Sequence, residues 1–199
     1  MPVPEDVRSK FNIFDWRNAI ALFEAAHPVE WRELMEVLGR FELLHSVLVE
    51  KGKNKTETAK LLDSALYAAG WVEKSFDTKI VVDGVEEPSP THSVDCFKNR
   101  VALEVEWNNK DPFFDRDLNN FRLLYDLRVI DLGVIITRST ELQRWQHQNS
   151  EMLGRGKDTY GPSTTHMEKL LPKIRGGGAG GCPVLVFSIR QEAYRDNRR

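Results

Sequence analysis

The stretch from Val101 to Trp107 (V-A-L-E-V-E-W) constrains the fold more than any other part of the chain, because its apolar residues alternate strictly. A β-strand has a period of two, so the odd-numbered apolar residues share one face and Glu104 and Glu106 share the other. On such a strand the two carboxylates lie about 7 Å apart. The sequence therefore predicts a strand that carries two acidic side chains on one face of a sheet.

A hairpin before this strand brings a third carboxylate into the same region. The polar turn around residues 98–100 folds the chain back, so Asp95 is expected to lie across from Glu104 and Glu106. Like charges at close range destabilise a fold, and a divalent cation relieves that repulsion. Hard oxygen ligands suit Mg²⁺, which predicts a magnesium-dependent phosphodiesterase centre. The alternation alone favours the competing interpretation, an amphipathic edge strand whose glutamates face water.

Length and composition limit the class of protein. The 199 residues predict one domain, with a helical N-terminal part at 1–50 and a catalytic core at 55–190. The formal net charge of −2 disfavours a non-specific nucleic-acid coat protein, which would be strongly basic. Cys96 and Cys182 lie far apart, which excludes a zinc ribbon and fits a reducing cytoplasm. No apolar run approaches transmembrane length, so no membrane association is expected.

The spacing of apolar residues predicts helices in the first half of the chain and mostly strands alternating with helices after Gly70. Helices are predicted at Phe11–Ala26, from Pro28 through Phe41, at Thr56–Ala69, Phe114–Tyr125, Ser139–Gln148 and Thr165–Leu171. Strands are predicted at Trp71–Phe76, Lys79–Val82, Val129–Thr137 and Pro183–Ile189, with loops at Glu86–Pro90 and Gly176–Gly181. This order predicts an α/β fold in which a central mixed sheet is flanked by helices.

The motif Asp95-x8-Glu104-x-Glu106, followed by a helix and a buried strand, resembles the core of the PD-(D/E)xK nucleases. Glu106 replaces the lysine of that pattern, and in this the chain is similar to type II restriction endonucleases of the BglII, BstYI and BamHI group. Segments around the motif resemble the same group, namely Gly70-Trp71, Ile130–Ile136, Pro183–Phe187 and Gln191–Tyr194. The resemblance extends from about Lys55 onward and implies an α+β, restriction-endonuclease-like fold.

The resemblance also implies catalytic roles. Asp95 and Glu104 would ligate Mg²⁺, and Glu106 would orient or deprotonate the attacking water. The group places a further polar side chain at the position of Lys74, where a cation departs from the expected glutamate, asparagine or serine. Lys74 then contacts phosphate, or the register shifts by one residue and Glu73 or Ser75 takes the catalytic position. His92 precedes the motif and could act as a proton carrier. The preferred interpretation is a loop histidine that is hydrogen-bonded to backbone.

Base-reading side chains of the group lie just after the catalytic strand and in a later loop. The corresponding residues here are Asn108, Asn109, Lys110, Asp111, Arg155 and Lys157. Asparagine pairs well with adenine and lysine with guanine, while the alternative is an ordinary polar loop. The resemblance further implies a prokaryotic homodimer that cuts a palindromic duplex, a GATC-centred hexamer, with residues 115–128 as the dimer helix. A DNA methyltransferase is expected as a genetic rather than a physical partner.

Three other functions compete with site-specific cleavage. The first is a repair or resolving nuclease on the same core, and the second is a non-catalytic DNA-binding protein that has kept the fold. The third is a helical interaction module, based on the apolar helices before residue 50. Digestion of plasmid DNA with Mg²⁺ distinguishes these functions, because only site-specific cleavage gives discrete fragments.

Overall fold

A computed structural model of the chain describes residues 3–50, 56–88 and 92–198. The helices within these ranges are α1 (Glu5–Arg8), α2 (Ala19–Ala26), α3 (Pro28–Arg40), α4 (His45–Val49), α5 (Glu57–Ala68), α6 (Pro112–Asp126), α7 (Thr140–Gln148) and α8 (Met167–Arg175). The strands are β1 (Phe11–Trp16), β2 (Leu43–Leu44), β3 (Val72–Lys74), β4 (Lys79–Val82), β5 (Val85–Pro88), β6 (Val94–Lys98), β7 (Val101–Val105), β8 (Leu132–Arg138), β9 (Val184–Ile189) and β10 (Tyr194–Arg195). Short 3-10 helices cover Lys157–Tyr160 and Gln191–Ala193.

The central sheet has six strands in the order β1-β9-β8-β7-β6-β3. Strands β7, β8 and β9 run parallel to one another, and the remaining pairs are antiparallel. Two smaller sheets pair β2 with β10 and β4 with β5. The predicted mixed sheet flanked by helices is confirmed. Among the described residues, no helix is long and apolar enough to cross a membrane.

Two hydrophobic clusters cover the opposite faces of the sheet. One contains Val101, Leu103 and Val105 of β7 together with residues of α3, α5 and α7, and the other contains Ala102 with residues of α6 and α8. The predicted alternation of faces along β7 is therefore confirmed. The interpretation as an edge strand with glutamates facing water is wrong, because β7 lies between β6 and β8 and helices cover both of its faces.

The prediction of one helix over Phe11–Ala26 is wrong for its first six residues. Phe11–Trp16 form β1, which pairs antiparallel with β9 at the edge of the sheet. Arg17 and Asn18, both with left-handed φ values of 59° and 56°, separate this strand from α2. The partner of β1 lies at the other end of the chain, so local apolar spacing could not indicate the pairing.

The loop predicted at Glu86–Pro90 is also wrong in its described part. Residues Val85–Pro88 form β5, which pairs with β4 across a turn at Asp83 and Gly84, both with positive φ. The hairpin therefore continues three residues, Glu86 to Pro88, into the segment that its polar composition indicated to be a loop. Residues 89 and 90 lie outside the described residues.

Other local predictions are confirmed by the helix termini. Pro28 lies in the first turn of α3, where its missing N–H leaves no hydrogen bond unmade. The predicted cap at Ser139 is present, since its Oγ accepts a hydrogen bond of 3.0 Å from the backbone N–H of Leu142. Thr56 caps α5 in the same way.

Gly133 on β8 allows α6 to lie close against the sheet. A Cβ atom at this position would lie 2.3 Å from Cδ2 of Phe121 on α6. We expect Gly133→Ala to lower the free energy of unfolding by about 2 kcal/mol, because the overpacked core must shift the helix. Urea denaturation followed by circular dichroism measures the change.

Gly156→Ala is the matched control for this substitution. A Cβ atom on Gly156 would lie within 4 Å of no described heavy atom beyond its chain neighbours. The free energy of unfolding of Gly156→Ala should therefore stay within about 0.5 kcal/mol of that of the original protein. Equal midpoints for the two variants would show that close packing of α6 does not depend on Gly133.

Candidate active site

The β6–β7 hairpin places Asp95 beside Glu104. The strands are joined by Asn99 and Arg100, whose positive φ values of 42° and 68° are typical of a two-residue type I′ turn. The backbone N–H of Asp95 donates to Oε2 of Glu104 at 3.2 Å, and the N–H of Val105 donates to Oδ2 of Asp95 at 3.0 Å. The predicted hairpin therefore exists and brings the two carboxylates together.

Helix α6 adds an acidic residue that the sequence analysis missed. Its buried face carries apolar side chains at Phe114, Leu118, Phe121 and Leu124. Asp117 lies on this same face and is 0% exposed. Since α6 packs on the face of β7 that carries Ala102 and Glu104, the helix adds a carboxylate to those of the hairpin. The signal was present in the sequence, as an aspartate at helical spacing within an apolar stripe.

His92 joins the hairpin to α6. Its Nε2 atom lies 3.1 Å from Oε1 of Glu104 and 3.2 Å from Oδ1 of Asp117. The preferred interpretation of His92 as a loop histidine hydrogen-bonded to backbone is wrong, because its ring contacts the carboxylates of Glu104 on β7 and Asp117 on α6. Potential ligand atoms of His92, Glu104 and Asp117 all lie within 4.8 Å of one another.

Glu106 lies between α6 and the loop that follows β7. Its Oε2 accepts a hydrogen bond of 2.8 Å from Nδ2 of Asn109, and its Oε1 lies 3.6 Å from Nη2 of Arg116. The Arg116 guanidinium also donates to Oδ1 of Asp117 at 3.1 Å. Glu106 and Asp117 therefore share one cationic neighbour, Arg116.

The electrostatics of these groups follow from burial. Burial raises the pKa of Glu104 to about 8 and that of Glu106 to about 10, and neighbouring carboxylates add to both shifts. Burial alone would lower the pKa of His92, but its hydrogen bonds to Asp117 and Glu104 prevail and raise it to about 9. A positively charged group bound among these buried carboxylates would therefore stabilise them.

The donor set fits a divalent cation. Carboxylate oxygens are the hard ligands that Mg²⁺ prefers. Oδ2 of Asp117 is buried and has no hydrogen-bond donor among the described residues. An unpaired buried carboxylate oxygen is costly, and a bound cation would satisfy it.

Lys74 lies apart from these contacts. It is the last residue of β3 at the edge of the sheet, and it is exposed, with Nζ 5.8 Å from the centre of the Phe76 ring. Glu73 is also exposed, and the hydroxyl of Ser75 is hydrogen-bonded to that of Ser93. The residues that contact Glu104 and Asp117 through cationic side chains are His92 and Arg116 rather than Lys74.

The loop after β7 contains four of the six predicted DNA-contacting residues, in different environments. Asn109 is held by its hydrogen bond to Glu106, and Asn108 has a left-handed φ of 62° and a buried Oδ1 without a partner among the described residues. Lys110 is exposed and forms an antiparallel bridge with Thr164. Asp111 precedes α6. The exposed member of this loop with a positive charge is therefore Lys110.

The other two predicted DNA-contacting residues, Arg155 and Lys157, lie outside the loop that follows β7. The guanidinium of Arg155 donates to the backbone carbonyl of Leu48 at 3.1 Å and to that of Glu50. In this arrangement Arg155 holds the C-terminal end of α4. The backbone of Lys157 begins a 3-10 helix, and its side chain lies outside the described residues.

Fold and site together define a class of protein. A mixed sheet with helices on both faces, and a carboxylate cluster at a hairpin on its central strands, is the architecture of the restriction-endonuclease-like nucleases. The chain matches the family model of the restriction endonucleases BglII/BglIII over residues 11–189, and it belongs to that family. It is thus an endodeoxyribonuclease, a hydrolase of a restriction system with DNA as its substrate. No curated protein matches the chain.

The family match extends further toward the N-terminus than the resemblance in the sequence, which covered the chain from Lys55. It begins at Phe11, the first residue of β1. The reason is structural, since β1 completes the central sheet by pairing with β9.

Proposed function

We propose that this restriction endonuclease is a type II enzyme that hydrolyses phosphodiester bonds in a short palindromic duplex with Mg²⁺. The observation that carries the proposal is the burial of Glu104, Glu106 and Asp117 at 2% exposure or less beside Asp95, in a chain of the BglII/BglIII family. In their ionised form these buried carboxylates require cationic partners, and a metal ion provides one.

Asp95 and Glu104 are the proposed ligands of Mg²⁺. When bound, the ion would neutralise charge on the phosphorane-like transition state and stabilise the leaving 3′-oxygen. Glu106 orients the attacking water or accepts its proton, since its carboxylate is positioned by Asn109 on one oxygen and Arg116 near the other.

The proposed DNA-contacting residues are Asn108, Asn109, Lys110, Asp111, Arg155 and Lys157, and the structure favours Lys110 for a first test. It is exposed in the loop between β7 and α6. We expect Lys110→Ala to weaken DNA binding by a similar factor for all sequences and to lower the slope of log K against log salt by about 1. Fluorescence anisotropy without divalent cations measures both quantities.

Lys79→Ala provides the control, because Lys79 is an exposed lysine that pairs with Glu86 on the β4–β5 hairpin. Its salt dependence should equal that of the original protein. A slope unchanged by Lys110→Ala would remove this residue from the DNA interface. Weakening confined to one cognate site would indicate base reading instead.

Digestion of plasmid DNA with Mg²⁺ tests the proposed function. Discrete fragments with identical palindromic ends, centred on GATC in the simplest case, would support it. Preference for branched DNA would favour a resolving enzyme, and binding without cleavage would favour a non-catalytic protein. The palindrome requires a two-fold symmetric dimer, with residues 115–128 of α6 as the proposed contact, and sedimentation of the protein–DNA complex measures its stoichiometry.

Two further points belong to the proposal. The pairing of β1 with β9 supports treating residues 1–199 as one domain. Cys96 and Cys182 are buried and not joined in a disulfide, which agrees with the prokaryotic cytoplasm in which we place the enzyme beside its methyltransferase gene.

A further inference from the structure

We propose that His92 and Asp117 join Glu104 as ligands of a divalent cation, so that the metal site contains a nitrogen donor and accepts a first-row transition ion such as Mn²⁺ better than Mg²⁺. This inference rests on the proposed function, because it concerns the same acidic centre. It adds two residues to the ligands Asp95 and Glu104 inferred from the motif.

The spacing of the three side chains fits a shared ion. Neighbouring ligands of an octahedral ion, each about 2.1 Å from the metal, lie about 3 Å from one another. Nε2 of His92 lies 3.1 Å from Oε1 of Glu104 and 3.2 Å from Oδ1 of Asp117. These separations require little rearrangement of the side chains.

The unpaired oxygen of Asp117 points to a ligand independently of this spacing. Asp117 is 0% exposed, and its Oδ2 has no hydrogen-bond donor among the described residues. Water does not reach this oxygen freely, and α6 cannot turn it outward because the helix is packed against β8 at Gly133 and Phe121. An ion bound by both oxygens of Asp117 would give Oδ2 a partner and keep Oδ1 beside the His92 nitrogen.

The backbone of His92 is also held by a contact with α6. Its backbone carbonyl lies 3.5 Å from Nδ2 of Asn120, a buried residue one turn after Asp117 on α6. Both members of the added pair are therefore attached to one helix. Metal ligands held by supporting contacts lose less conformational freedom on binding.

The donor types determine which ion is preferred. Mg²⁺ selects oxygen ligands and retains water, whereas an imidazole nitrogen suits first-row transition ions. Replacing His92 should therefore affect Mn²⁺ more than Mg²⁺. Replacing Asp117 should weaken both ions, since a carboxylate serves either one.

Pulsed electron paramagnetic resonance of Mn²⁺ bound to the full-length protein tests the assignment without any cleavage assay. We expect modulation from a directly coordinated nitrogen, and we expect it to disappear in His92→Gln but persist in His147→Gln. Titration of free Mn²⁺ should show at least about tenfold weaker binding in His92→Gln and Asp117→Asn, and at most about twofold change in Asp115→Asn. Asp115 is the matched control because it is an exposed carboxylate on the same helix.

Mn²⁺ should also raise the melting temperature of the original protein and of both controls, but not of His92→Gln or Asp117→Asn. Circular dichroism of each variant shows whether it is folded. Bound Mn²⁺ without nitrogen modulation, or modulation that persists in His92→Gln, would overturn the inference. These outcomes test the metal ligands alone. The proposed function would fail in a different way, through absence of Mg²⁺-dependent cleavage or through cleavage that survives the loss of Asp95.

Discussion

Replacing Glu104 by glutamine is expected to slow DNA cleavage by about 10³-fold, equivalent to about 4 kcal/mol of transition-state stabilisation. Glutamine has nearly the same shape, so it can still occupy the buried position on β7, but it lacks the negative charge that a cation requires. Asp95→Asn should act similarly, since its carboxylate lies beside that of Glu104. Single-turnover cleavage of a cognate duplex with Mg²⁺ measures the rate.

DNA binding separates a catalytic defect from a folding defect. Affinity of Glu104→Gln and Asp95→Asn for duplex DNA, measured with Ca²⁺ or without divalent ions, should stay within about threefold of the original protein. Glu168→Gln removes an exposed carboxylate of α8, outside the proposed dimer contact, and should leave the cleavage rate normal. Cleavage at a normal rate by either Glu104→Gln or Asp95→Asn would remove that residue from the proposed metal site.

Replacing Arg138 by alanine is expected to cause the largest loss of stability. Arg138 is fully buried at the end of β8, and no acidic side chain among the described residues pairs with it. Its guanidinium donates to Oε1 of Gln146 at 2.9 Å, to Oγ1 of Thr164 at 2.6 Å and to the carbonyl of Thr165 at 3.0 Å. Burial lowers its pKa to about 10.

Loss of this side chain would leave buried acceptors without donors and a cavity between the Trp107 and Tyr160 rings, which lie 5.5 and 5.6 Å from the guanidinium carbon. We expect Arg138→Ala to reduce the free energy of unfolding by about 4 kcal/mol, and the melting temperature by about 10 °C. Arg138→Met should be less harmful, because it fills the cavity. Differential scanning calorimetry measures these shifts.

Arg144→Ala is the control, since Arg144 is exposed and pairs only with the exposed Glu168 among the contacts described. Its melting temperature should change by no more than about 2 °C. Equal melting temperatures for Arg138→Ala and Arg144→Ala would show that the buried guanidinium network does not stabilise the fold. Arg138 also holds Thr165, whose N–H donates to the carbonyl of Asn109. Loss of Arg138 should therefore loosen Asn109, which is the hydrogen-bond partner of Glu106.

The sequence predicted the hairpin and its carboxylates because both depend on short-range properties. A period of two defined the faces of β7, and a polar turn before it required an antiparallel return of the chain. The same local logic predicted α6 from its apolar spacing.

The parts that sequence could not predict depend on contacts between distant segments. His92 contacts Asp117 because α6 packs close to β8, and that packing requires Gly133 to lie opposite Phe121. The strand β1 exists because β9 lies beside it. Asp117 occupied a visible place in an apolar stripe, but an acidic residue at such a position becomes meaningful only when the opposite surface also carries carboxylates.

The most direct test of the proposed catalytic centre is the position of the metal ion in crystals grown with Mn²⁺ and a short cognate duplex. Anomalous scattering locates Mn²⁺ without assumptions about its ligands. We predict a peak within coordination distance of the Glu104 carboxylate and of the scissile phosphate. A peak elsewhere beside the scissile phosphate, with none at Glu104, would contradict the assignment of this buried cluster as the active site.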